Sequence, residues 1–206
     1  MKILISIFLC LIFLNAQAPS DGWISLFDGK SLDGWKAGEH AGSFKVENGM
    51  IVSEGDASNL YYDGPVNKAN FKNFELKFEV MTKPGANTGI FFHTKFQESG
   101  SPALGYEVQI NNTHSDWRRT GSLWGVVNIK ELYVQDNEWF TMHIIVIDKQ
   151  ITVKINDKNV VDYTEPEDFN YADRSGRKLS SGTIAIGHWN EFSKAYMKNI
   201  VIKPLP

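Results

Sequence analysis

FELKFEV, residues 74–80, alternates without a break: Phe74, Leu76, Phe78 and Val80 fall on one side of an extended chain, Glu75, Lys77 and Glu79 on the other. Successive side chains of a strand point to opposite faces, so a period of two specifies an antiparallel strand with one face on a core and one turned outward. Further along, GYEVQINN at 105–112 has the same period and a different content. Tyr106, Val108 and Ile110 make its apolar side, and Glu107, Gln109 and Asn111 its polar one. A carboxylate followed by two amides reads either as a solvated outer face or as the lining of a site.

Working outward from these two strands, FKVENGMIVS at 44–53 places Asn-Gly between apolar runs, which predicts a hairpin because both residues tolerate positive φ. WFTMHIIVIDKQITVKINDKNVVDY, 139–163, predicts a three-strand meander turning at DKQ and NDK. Further strands are expected over 23–27, 88–95, 104–111, 122–128, 182–188 and 195–203. No segment reads as a long helix, and 164–181 is the longest loop. About a dozen strands around one core make an all-β fold of two antiparallel sheets packed face to face.

The chain has 206 residues, 42% hydrophobic and 13% aromatic, enough for a single domain over residues 19–206. A net charge of -3, a pI near 6.0 and scattered Lys and Arg argue against nucleic acid or an anionic membrane as partner. MKILISIFLCLIFL at 1–14, followed by AQA at 16–18, predicts an export signal over residues 1–18 with the mature start between residues 17 and 20. That run is too short to span a membrane and stop there, so a periplasmic or secreted protein with no transmembrane segment after signal removal is expected. Cys10, the only cysteine, lies inside the apolar run. It is either part of a removed signal or, less in keeping with the very short segment before it, the lipidated residue of a lipoprotein. Beyond it there is no disulfide or thiolate chemistry.

Several segments bear on the polar face of GYEVQINN. TGIFFHTKF at 88–96 is its expected sheet neighbour and carries His93 and Lys95. In GSLWGVVN, 121–128, two glycines bracket Leu123 and Trp124 and leave the indole prominent. GTIAIGHWNEF, 182–192, ends an apolar strand in His188 and Trp189, and the loop NNTHSDWRRTG concentrates Asp116, Arg118 and Arg119. Six tryptophans, several of them beside polar groups, suit a carbohydrate partner, because a pyranose offers an apolar face to a ring and hydroxyls to amides and carboxylates. Each residue also has an ordinary reading: His93 as a satisfied half-buried histidine, Trp124 and Trp189 as core, Asp116 and the arginines as a solvated loop. Together they favour a polar, aromatic sheet face.

ISLFDGKSLDGWK, TGIFFHT, GYEVQI, TGSLWGVV, NEWFTMHIIV, INDKNVVDY, SGTIAIGHW and KNIVIKPL, in this order, resemble the 3-keto-disaccharide hydrolase family, formerly a domain of unknown function. The resemblance covers nearly all of the chain after the signal. It implies a concanavalin A-like jelly roll, related to lectins and laminarinase-type glucanases, with the ligand cleft on the concave sheet. It also implies cleavage of glycosides already oxidised at C3. One departure is that many relatives carry arginine where this chain has His93.

Retaining glucanases of this fold need two carboxylates about 5 to 5.5 Å apart. The face Glu107, Gln109, Asn111 supplies one, and another strand would have to supply the second. A 3-keto sugar removes that need, because the ketone acidifies the C2 proton and permits elimination of the C1 substituent and addition of water. Such chemistry asks for a base near C2, donors for the enolate oxygen and an acid for the leaving group. Glu107 is the candidate base, His188 the candidate acid, and His93, Gln109 and Lys95 candidate donors. Trp124 and Trp189 are candidate platforms, and Asn111, Asp116 and Arg118 candidate substrate contacts. The alternative is a non-catalytic carbohydrate-binding module, since a fold does not decide function. No cofactor is expected. His93, Glu107 and His188 would have to converge to hold a divalent ion, and no compact ligand spacing supports it.

Overall fold

The computed structural model describes residues 21–169 and 175–206, so the apolar segment read as an export signal lies outside the described residues. In chain order the strands are β1 (Ile24–Ser25), β2 (Trp35–Ala37), β3 (Phe44–Glu47), β4 (Met50–Glu54), β5 (Ser58–Tyr62) and β6 (Asn73–Thr82). They continue as β7 (Thr88–Thr94), β8 (Tyr106–Ile110), β9 (Phe140–Ile147), β10 (Gln150–Ile155), β11 (Lys158–Thr164), β12 (Thr183–His188) and β13 (Lys194–Leu205). One sheet has the order β11-β10-β9-β6-β13-β4-β3, with β1 added on β13, and the other has the order β2-β5-β12-β7-β8. Every pairing between them is antiparallel, giving the expected jelly roll of two packed sheets. Helix is limited to two 3-10 turns among the described residues, and none of their helices is long and apolar enough to cross a membrane.

FELKFEV forms the centre of β6, and its apolar residues pair with apolar residues of the next strand: Phe74 with Val146, Leu76 with Ile144, Phe78 with Met142, Val80 with Phe140. This row meets the apolar face of the five-stranded sheet, where Phe74 stands edge-on to Phe92 at 5.8 Å. Tyr106, Val108 and Ile110 of β8 join the same core. Burial of each such side chain contributes roughly 1.5–3 kcal/mol, which fixes which side of each strand turns inward. The hairpin at 44–53 turns at Asn48 and Gly49, φ 49° and 78°, as Asn-Gly dictates. The meander from β9 to β11 also follows the sequence.

Two stretches differ from the sequence expectation. All five residues of β5 are buried, so SNLYY carries no alternation by which to read it, and β2 is only three residues long. The strand expected over 122–128 is instead a tight loop whose first residues run beside β8. Gln109 N–H donates to Ser122 O at 2.9 Å and Trp124 N–H donates to Glu107 O at 2.9 Å. Gly121 and Gly125, at φ 92° and 73°, then turn the chain back, and Leu123 N–H donates to Val127 O at 3.0 Å.

Candidate functional site

The outward face of the five-stranded sheet is built from two cross-strand rows. Tyr61, Ala185, Phe91 and Glu107 lie side by side across β5, β12, β7 and β8, and Asn59, Gly187, Gly89 and Gln109 make the adjacent row. The glycines leave room for their neighbours. A Cβ on Gly89 would lie 2.7 Å from Glu107 Oε1, and one on Gly187 would lie 3.0 Å from the Trp189 ring. Glu107 and Trp189 therefore lie down over the two positions that have no side chain of their own.

This face is not solvated. Glu107 is 5% exposed and Gln109 1%, and both line a cleft of about 240 Å³ with Asp116, Trp124 and Trp189. Trp189 Nε1 donates to Glu107 Oε1 at 3.2 Å, and its ring sits edge-on to Phe91 at 5.7 Å. Gln109 Nε2 donates to Asn87 Oδ1 at 2.6 Å. A carboxylate with a fixed indole donor on one oxygen is held in one orientation, which a base acting on a single carbon needs.

The wall of the cleft comes from the loop after β8. Asn111, fully buried, holds that loop: its Nδ2 donates to the Asp116 and Arg118 carbonyls at 2.8 and 2.9 Å. Its Oδ1 accepts from His114 N–H at 2.9 Å and Arg119 Nη1 at 3.2 Å. These bonds use both donors and both lone pairs, so Asn111 organises the loop and leaves no polar group for a ligand. Arg118 Nη1 donates to both Asp116 oxygens at 3.0 Å, while its guanidinium lies 4.6 Å from the Trp124 ring. Burial raises the Asp116 carboxyl, but the Arg118 amide and guanidinium outweigh it and hold the group below the ordinary carboxylate value. Arg177 packs on Trp124 as well, 4.8 Å from the ring, and donates to the Trp124 carbonyl. Trp124 thus has two guanidinium groups packed on its ring.

The histidines are placed elsewhere. A bulge at His93, φ 57°, turns its ring among Phe74 and Phe92, 5.9 and 5.4 Å away, instead of onto the cleft. Ser180 N–H donates to His93 Nδ1 at 3.1 Å, so Nε2 carries the proton and donates to Lys72 O at 2.8 Å. His188 follows Gly187 onto the core side, edge-on to Phe44, and Nε2 donates to Gly55 O at 2.8 Å. Burial pushes both imidazoles below the ordinary histidine value. Lys95 and His93 line a separate cavity. The set His93, Glu107 and His188 does not converge, and no group of three or more His, Cys, Asp or Glu that could hold a metal occurs among the described residues. The structure brings together Glu107, Gln109, Asp116, Arg118, Trp124 and Trp189. It adds Asn87 and Ser101 to the lining, and Arg177 behind Trp124. Asn87 and Ser101 sit in turn-like sequence that reads as punctuation. Arg177 lies far along the longest loop, where no periodicity tells where it lands.

Residues 22–203 match the 3-keto-alpha-glucoside-1,2-lyase-like domain family. The chain is similar to a 3-keto-disaccharide hydrolase of Bacteroides thetaiotaomicron, 27% identical over 177 residues, which are 73% of this chain and 61% of that protein. This chain thus spans about three fifths of the curated relative's length. Among solved structures it is similar to a candidate glycosyl hydrolase of Parabacteroides distasonis, at TM-score 0.76 and 23% identity, covering 90% of this chain and 94% of that one. It is also similar to the carbohydrate-binding module CBM66 from Bacillus subtilis, at TM-score 0.57 and 11% identity, covering 82% and 95%. These two likenesses show the fold. With the match running over nearly all the described residues, the chain belongs to the 3-keto-alpha-glucoside-1,2-lyase-like domain family.

Proposed function

We propose that the protein is a glycosidic-bond hydrolase of 3-keto glycosides or disaccharides that works by elimination followed by hydration, with Glu107 as the base. The observation that carries the reading is the buried Glu107 carboxylate, oriented by Trp189 Nε1 on the floor of a cleft walled by two tryptophans. Family membership and the name of the Bacteroides relative supply the substrate class.

Glu107 removes the C2 proton, and the C–H electrons move into the C3 carbonyl to give an enolate. The enolate collapses, forms a C1–C2 double bond and expels the C1 oxygen, which takes a proton from water and leaves as the alcohol. Water then adds at C1 and a proton returns to C2, leaving the free 3-keto sugar. Gln109 Nε2 and Asn87 lie beside Glu107 as groups that can meet a sugar hydroxyl or the developing oxyanion.

Asp116 puts a second carboxylate in the cleft, which double displacement also requires. Its lowered pKa and two-pronged Arg118 contact favour the ionised form, so Asp116 is not a proton donor to a leaving oxygen. Elimination needs no carboxylate nucleophile, because the ketone activates the bond. Incubating the purified chain with a 3-keto glucoside and its unoxidised parent tests the reading. Aglycone release from the ketone alone is expected. Release from both would point to double displacement, and release from neither to a carbohydrate-binding protein.

A further inference from the structure

A second cavity, about 550 Å³, is lined from β2, β5, β7 and β12 of the same sheet as the Glu107 cleft, and the proposed reaction does not use it. Its lining includes Tyr61, which lies in one cross-strand row with Ala185, Phe91 and Glu107. Three inter-strand steps separate Tyr61 from Glu107, about 14 Å. The Phe96 ring stands edge-on to Tyr61 at 5.3 Å, and Lys36 Nζ lies 3.6 Å from the Phe96 centroid, so the ammonium is held at the rim by an aromatic face. Lys68 and Lys95 bring two more cations, and among the described lining residues the one carboxylate is Asp63. Three positive groups against one negative give this hollow a surplus of two positive charges, on a chain whose net charge is -3. Ser180 and Ser181 add hydroxyls.

The two cavities border a common hollow along the loop that follows β7. Ser101 borders both the Glu107 cleft and an intermediate hollow, and Leu104 borders that hollow and the cationic cavity. A chain of sugars seated over Glu107 would run along this loop toward Lys36. We propose that the cationic cavity is a distal glycan site that takes a carboxylate or sulfate on a sugar unit away from the cleaved bond. The exposed Phe96 ring and the serine hydroxyls match a pyranose, and the lysines match an anionic substituent that a neutral glucan lacks. The site's direction along the glycan rests on reading the Glu107 cleft as the reacting centre.

The test is titration calorimetry on the full chain at low salt with three unoxidised trisaccharides: neutral maltotriose, the same sugar ending in glucuronate, and the same sugar sulfated on that end unit. At least one anionic ligand should bind about tenfold more tightly than maltotriose, the sum of a few exposed charge contacts. The advantage should shrink in molar salt and vanish in the double variant Lys36→Ala, Lys68→Ala, whose exposed side chains leave the melting temperature unchanged. Carboxylate and sulfate arms identify which anion is preferred. Equal affinity for charged and neutral ligands, no binding of either anionic sugar at millimolar concentration, or an advantage that survives the double variant would overturn the proposal. Turnover of a neutral 3-keto disaccharide, measured in parallel, reports on Glu107 alone. Its failure would remove the proposed reaction while the calorimetry still decided the distal site.

Discussion

The outward faces of the two sheets share one sequence rhythm and have opposite environments. On the eight-stranded sheet the alternate residues of β6 are half-buried charges matched across strands: His143 Nε2 lies 2.8 Å from Glu75, and Lys198 Nζ lies 3.3 Å from Glu79. On the five-stranded sheet the alternate residues of β8 are buried, with glycines in the neighbouring strands where side chains would stand. A strand's period says which side a residue takes. What covers that side is decided by loops far away in sequence.

The largest effect that would sharpen this contrast is on Glu107. Glu107→Gln keeps size and the Trp189 contact but removes the proton acceptor, so kcat on a 3-keto glucoside should fall roughly 10²- to 10⁴-fold with an unchanged melting temperature. Turnover within about threefold of the parent would make this face no more catalytic than the other. Gly89→Ala comes next. The added methyl would meet Glu107 Oε1 at 2.7 Å and Val108 O at 3.1 Å, so about tenfold in kcat/KM and about 1–3 kcal/mol in stability should be lost, read by kinetics and chemical denaturation. A variant as active as the parent would show that Glu107 has slack.

A smaller effect concerns acid. His93 and His188 are held below the ordinary value of 6.5 by burial, so the unfolded chain binds protons that the folded one refuses. The stability linked to them is complete above about pH 6.5 and declines as the pH falls toward the depressed folded values. His188→Gln should flatten that decline in denaturation series between pH 7 and 5, and an unaltered slope would refute the assignment. The smallest effect is on the charged sheet. Lys198→Ala should change stability by less than about 0.5 kcal/mol and leave turnover unchanged, because half-exposed pairs contribute little.

The strands that set the fold were readable wherever one side is core and the other is not. FELKFEV, the Asn48-Gly49 hairpin and the β9–β11 meander all carry that signal, and β5, buried on both sides, does not. The site was half legible. Alternation placed Glu107 and Gln109 on the face away from the core, and the same rule put His93 beside them. A single bulge with positive φ turns that ring inward, and bulges leave no mark in a period of two. His188 failed as a cleft residue for a simpler reason: it stands one residue out of step with Ala185 and Gly187, on the side of Ile184 and Ile186. Arg177 reaches Trp124 through a loop anchored by contacts distant in sequence, Leu179 N–H to Glu165 and Ser180 N–H to His93.

The short run of chain beside β8 also bears on how copies of the protein meet. β8 is the last strand of its sheet, and a bare last strand offers unpaired amides and carbonyls to any other extended chain. Gly121 N–H to Gln109 O, Gln109 N–H to Ser122 O and Trp124 N–H to Glu107 O occupy those positions. The opposite border, β2, is only three residues long. The five-stranded sheet therefore presents little template for strand-by-strand self-association, even though the strand that carries the candidate base stands at its very margin.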